Sequence, residues 1–175
     1  MNKGGINADT SFLGNNFIPL TYTNISSDVY PYNDDYDPIE NVPIVSWATA
    51  YNHPKGTTYI IVFNESLYYG TKMQHSLINP NQAHFHGLDL FDNHVRDDKL
   101  CIRVDKKTVI HLKFKGTKCV FESRVPTRCA LGSFTHYDMT SDAQWNPWAI
   151  DLWSLRKIYQ VKKGSRTVYN VKHNT

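Results

Sequence analysis

Two apolar runs, Val42-Pro43-Ile44-Val45-Ser46-Trp47-Ala48 and Thr57-Thr58-Tyr59-Ile60-Ile61-Val62-Phe63, stand on either side of Asn52-His53-Pro54-Lys55-Gly56. No other feature constrains the fold as tightly. Both runs are dense in β-branched and aromatic residues, which fit a pleated, half-buried surface. The connector carries Asn, Pro and Gly, which favour a turn over continued strand. The pair predicts an antiparallel hairpin in which Ile44, Val45 or Trp47 shares a paired ladder with Tyr59, Ile61 and Phe63.

The same punctuation recurs along the chain. Phe17 to Tyr22 reads as a strand, and Asn24 to Asn41, rich in Asp, Asn, Ser, Pro and Tyr, reads as an irregular exposed loop. Leu100-Cys101-Ile102-Arg103-Val104 and Val109-Ile110-His111-Leu112-Lys113-Phe114, with Asp105-Lys106-Lys107 between them, predict a second hairpin. Lys115-Gly116-Thr117-Lys118 then turns into Cys119-Val120-Phe121, and Pro126 and Gly132 break the pattern. Helical spacing occurs near the C-terminus, at Trp148, Leu152, Leu155 and Tyr159. Asn146 would cap that helix, Pro147 would open it, and it would stop before Gly164. Beyond it, 166–171 fits either a last strand or an unstructured end. The class is therefore mainly β. A domain over residues 1–145 would be followed by a helix and basic tail over 146–175.

Length and composition exclude several classes. A chain of 175 residues buries enough surface to fold without disulfides or a metal. No apolar run approaches the ~20 residues of a membrane span, and the N-terminus has no apolar stretch of a signal peptide. An intracellular chain with no membrane partner is expected, and with it unused Asn-x-Ser sequons at Asn24 and Asn64. Cys101, Cys119 and Cys129 are odd in number and lack C-x-x-C spacing, so they read as buried or idle thiols. Acids dominate up to Leu100, with a cluster at Asp34, Asp35, Asp37 and Glu40. From Trp153 onward Arg156, Lys157, Lys162, Lys163, Arg166 and Lys172 face no acid, which makes them candidates for contact with nucleic acid or an acidic partner. Trp145, Trp148 and Trp153 could add base stacking to such a surface, although aromatics at that spacing more often dock a helix on a core.

The stretch Gly5-Ile6-Asn7-Ala8-Asp9-Thr10-Ser11 nearly spells the loop on which aspartic proteases carry their catalytic carboxylate. Val62-Phe63-Asn64-Glu65-Ser66-Leu67-Tyr68-Tyr69, followed by His75-Ser76-Leu77-Ile78-Asn79-Pro80-Asn81-Gln82 and Phe85-His86-Gly87, resembles a block of copia-type retrotransposon polyproteins. Phe121-Glu122-Ser123-Arg124-Val125-Pro126-Thr127 and Met139-Thr140-Ser141-Asp142-Ala143-Gln144-Trp145-Asn146-Pro147 resemble a pattern that follows the protease-like domain in retroelement polyproteins of some protists and algae. With these blocks in the family's order over roughly residues 4 to 148, the chain resembles a degenerate copy of a retropepsin-like domain. The resemblance implies a closed or partly closed β-barrel. It implies a homodimer in which each chain supplies one Asp, and no small-molecule cofactor. By the same analogy His53, Pro54, Lys55 and Gly56 would be the tip of a flap over the substrate cleft, and Asp9 would line that cleft.

The chemistry departs from the family at the decisive positions. Aspartic proteases activate water with two carboxylates that share one proton, since like charges so close cannot both ionise. A gapless count puts Gly5 where the attacking Asp should stand and Asn7 where the loop's Gly should. Asp9, the Asp of Ala-Asp-Thr, would then bind backbone or pin the loop rather than attack water. The loop Gly5, Ile6, Asn7, Ala8, Asp9, Thr10 is accordingly read as vestigial, with no catalytic residue. His84 and His86 sit two apart and would share a strand face, near His75, Asp89 and His94. No Cys or carboxylate falls at a ligand spacing beside them, so no metal site is assigned.

Overall fold

The computed structural model describes residues 10–31, 33, 35–95 and 99–147. The first four strands are β1 (Phe12–Gly14), β2 (Ile18–Val29), β3 (Ile39–Asn52) and β4 (Thr58–Gly70). After α1 (Pro80–Phe85), β5 (Asp89–Phe91), β6 (Cys101–Arg103) and β7 (Val109–His111) form a three-stranded antiparallel sheet, and β8 (Lys113–Lys115) pairs with β9 (Lys118–Val120). α2 (Arg128–Ser133) and β10 (Thr135–Asp138) complete the described order.

The fold is mainly β, and the predicted hairpin is its centre. β3 and β4 pair antiparallel with Ile44 opposite Leu67, Trp47 opposite Phe63 and Tyr51 opposite Tyr59. The connector closes through His53 N–H to Thr57 O and Gly56 N–H to His53 O, at 2.8 and 2.9 Å. Gly56 takes φ +88, a left-handed conformation that an L side chain strains to adopt.

The residues of β3 and β4 fail to alternate because both faces of the sheet are covered. Leu13, Val45, Trp47, Tyr51, Ile61 and Phe63 pack on one face with Leu88, Ile102, Ile110 and Met139. Ala48, Ala50, Ile60 and Val62 pack on the other with Ala130 of α2. β1 and β10 both lie parallel to β4 on one edge, β1 beside Leu67 to Gly70 and β10 beside Tyr59 to Val62. β2 lies on the far side of β3.

Several expectations are corrected. No barrel closes among the described residues, because closure needs the outermost strands to pair and here β2 ends one side of the sheet while β1 and β10 end the other. Strand enters the region 24–41 from both ends and takes half of it, while the segment stays exposed. β2 runs on to Val29 and β3 begins at Ile39, joined by Val29 opposite Ile39 and Ser27 opposite Val42. Side chains fill the irregular register: Thr23 Oγ1–H bonds Ile44 O at 2.6 Å, and Asp28 Oδ1 accepts from Asn41 N–H at 2.9 Å. The ribbon passes the end of the β3–β4 ladder and leaves Ile25, Tyr30, Tyr36 and Ile39 exposed. His84 and His86 do not share a strand; the first lies in α1 and the second caps its C-terminus. The helix expected from Pro147 onward lies outside the described residues from Trp148 on.

Candidate functional site

The described end of the Asp9 loop is a buried, fully bonded junction. Asn79 caps α1 by accepting from Asn81 N–H at 2.8 Å, and Pro80 needs no partner at the first helical position. That start turns Gln82 inward, where it is buried. Its Oε1 accepts from Ser11 N–H at 2.6 Å and its Nε2–H donates to Glu65 O at 2.9 Å. Asn79 N–H donates to Ser11 Oγ, and Leu67 N–H donates to Ser11 O, both at 3.0 Å. Ser11 is 0 % exposed, so each of these partners replaces water that could not reach it.

The next residues continue the seam. Phe12 and Leu77 exchange backbone bonds of 2.8 and 2.7 Å, and Gly14 N–H donates to Ser76 Oγ at 3.0 Å. A Cβ on Gly14 would lie far inside contact distance of the Met73 carbonyl, so close backbone approach requires glycine there.

Glu65 connects this junction to the third block. It is a non-glycine residue at φ +50 inside β4, a conformation held only where surroundings over-determine it. Its carbonyl meets Gln82, and its carboxylate accepts weakly from Trp145 N–H at 3.4 Å. Burial raises the Glu65 carboxyl above its ordinary value, the Trp145 N–H opposes that, and the Asp142 charge adds to it. One residue earlier, Asn64 holds Thr140 through three bonds: Asn64 N–H to Oγ1 at 2.7 Å, Asn64 Nδ2–H to the carbonyl at 3.1 Å, and Thr140 Oγ1–H to Asn64 O at 2.8 Å. The Trp145 ring meets Phe85 at 5.4 Å, edge to face. Burial pushes the neighbouring His86 imidazole below its usual range, and the charges of Asp138 and Asp142 offset part of that.

The hairpin tip stands elsewhere. Ser11 bonds Leu67, and the turn from His53 to Gly56 precedes Thr58, so nine residues of strand, roughly 30 Å at ~3.3 Å each, separate the two along β4. The tip packs on β7 instead. The His53 ring lies 5.3 Å from that of His111, 6.2 Å from Tyr51 and 6.0 Å from Tyr59. His53 Nδ1 accepts from Lys55 N–H at 3.1 Å. Burial, then the nearby His111 and Lys55 charges, hold the His53 imidazole below its ordinary value. Pro54, Lys55 and Gly56 are exposed.

Thr10 is half-buried at the mouth of the junction, whereas Gly5, Ile6, Asn7, Ala8 and Asp9 lie outside the described residues. So do the tail candidates Arg156, Lys157, Lys162, Lys163, Arg166 and Lys172. Sequence reasoning missed Gln82, Asn64 and Glu65 as organising residues. The Asn79-Pro80 pair was an available signal, since it is a cap followed by a first-turn proline; nothing in the sequence marks the reach of Gln82 to Ser11.

Among the described residues no group of three or more His, Cys, Asp or Glu gathers as a metal site, and no helix is long and apolar enough to cross a membrane. No protein-family model, curated protein or solved structure matches this chain.

Proposed function

We propose that the chain is a retropepsin-like domain of a copia-type retrotransposon polyprotein that keeps the scaffold of the protease loop and does not hydrolyse peptides. The observation that carries this reading is the junction at Ser11. Ser11, two residues after Asp9, is fully buried and tied to β4, to α1 and to its cap Asn79 by two backbone hydrogen bonds and one to its hydroxyl, while the sequence places Gly5 where an attacking carboxylate would be needed. The convergence of the blocks supports common descent: Gln82 of the second holds Ser11 of the first, and Asn64 of the second holds Thr140 of the third. Glycine has no proton-accepting side chain, and the neutral amide of Asn7 cannot take a proton from water as a carboxylate can.

The test is cleavage of a degenerate peptide library from pH 3 to 7, with the unmodified chain and with the double variant Gly5→Asp, Asn7→Gly. The unmodified chain should leave the library intact, and the restored loop should give pepstatin-sensitive cleavage. Pepstatin-sensitive cleavage by the unmodified chain, abolished by Asp9→Asn, would overturn the reading by giving Asp9 the catalytic role.

A further inference from the structure

We infer that the β8–β9 hairpin, with the strand β7 from which it extends, is a docking surface for single-stranded nucleic acid, separate from the C-terminal tail. Between Lys99 and Arg128 nine Lys and Arg stand against two acids, Asp105 and Glu122. Asp105 is already committed. It accepts from Lys107 N–H and Thr108 N–H at 2.7 Å each and from the Tyr137 hydroxyl at 3.1 Å, which closes the β6–β7 turn.

The topology gathers the cations. Leu112 alone separates β7 from β8, and its N–H bonds back to Leu100 O, so β8 prolongs the line of β7 past the three-stranded sheet. Among the described residues β8 pairs only with β9, and both are exposed but for the half-buried Val120, which makes a projecting two-stranded finger. Lys113 and Lys115 share a face, since both reach Glu122, and Lys118 faces Lys115 across the ladder. One carboxylate among three ammonium groups leaves an excess of two positive charges on that face.

The reverse of the finger carries an aromatic ring, with the Asp92 charge reaching Cys119, which stands opposite Phe114 on that face. Phe114 is 39 % exposed, and the His94 ring stands 5.3 Å from it, edge to face. Cations along one face with an accessible ring on the other suit a ligand that brings both phosphates and flat bases, as single strands do. An acidic peptide would use the lysines and have no need of the ring.

The test is fluorescence anisotropy of the full chain with labelled 20-nucleotide oligo(dT) and oligo(U). With three phosphates neutralised, affinity should fall roughly 20-fold between 50 and 200 mM salt. The variant Lys113→Gln, Lys115→Gln, Lys118→Gln should lose that dependence and bind at least about tenfold more weakly at 50 mM. Glu122→Gln should bind more tightly than the parent, a gain that a damaged fold cannot produce. Phe114→Ala should weaken binding several-fold, about the scale of one lost stacked base, with the salt slope unchanged. No binding by the parent would overturn the inference. So would full binding by the finger variant together with loss in Lys162→Gln, Lys163→Gln, Arg166→Gln, which would assign the contact to the tail. Equal affinity for a poly-Glu peptide, indifferent to Phe114→Ala, would make the partner an acidic protein instead.

Discussion

At the scale of single residues, the junction at Ser11 depends on side chains whose polar atoms cannot find water. Gln82→Leu keeps the volume but strands Ser11 N–H and Glu65 O, each at a cost of about 1–3 kcal/mol. Chemical denaturation should therefore show a loss of about 2 kcal/mol or more, and a loss within error would mean the junction is not a buried clamp. Gly14→Ala tests the neighbouring close approach; forcing a methyl against the Met73 carbonyl should cost about 1–3 kcal/mol, as overpacking does. His86 gives the pH dependence. Burial lowers its folded-state value, so the unfolded chain binds the proton more readily. Its contribution is full above the ordinary imidazole value and is lost as pH falls through the lower folded value. The lowered His53 has the same sign, while the raised Glu65 carboxyl favours the folded state as pH falls toward the carboxylate range. Unfolding free energy should then decline from about pH 7.5 to about pH 5, and less steeply in His86→Gln. An unchanged slope in that variant would place the proton elsewhere.

At the scale of elements, the sequence was most legible where two strands adjoin. The β3–β4 and β6–β7 hairpins follow from β-rich runs around turn residues, because local pairing needs no knowledge of the rest of the chain. The elements that sequence reasoning missed are held from far away. β1 and β10 are short and find their ladder on β4 across long chain separations, and α1 and α2, at six residues each, are too short to display a helical period. The polar composition of Asn24 to Asn41 reads as loop, yet its two ends are strand, with side-chain bonds that tolerate that composition. Trp47 tests the central hairpin. Its ring is 1 % exposed, and its indole N–H has no hydrogen-bond partner among the described residues. Trp47→Ala should cost about 3–5 kcal/mol, whereas Trp47→Phe removes the orphan donor along with part of the ring and should cost distinctly less. Equal losses in the two variants would show that the indole donor is satisfied after all.

At the scale of the whole molecule, β4 pairs with β1, β3 and β10, and its far edge is shared by residues from both ends of the described chain. Leu67 to Gly70 pair with Phe12 to Gly14, made long before them, and Tyr59 to Val62 wait for Thr135 to Asp138. Pairings so distant in sequence must close large loops before they gain anything, which places folding on the slow side, from milliseconds to seconds. Stopped-flow refolding of the intact chain should fall in that range. The shared edge also gives synthesis a direction. At about 5–20 residues per second, the apolar ladder from Tyr59 to Val62 exists for seconds before its final partner leaves the ribosome. During that interval the nascent chain presents an unpaired β edge of the kind that recruits other strands. Asp138, the last residue of β10, thus marks the point in translation at which that stretch of edge is sealed against its neighbours.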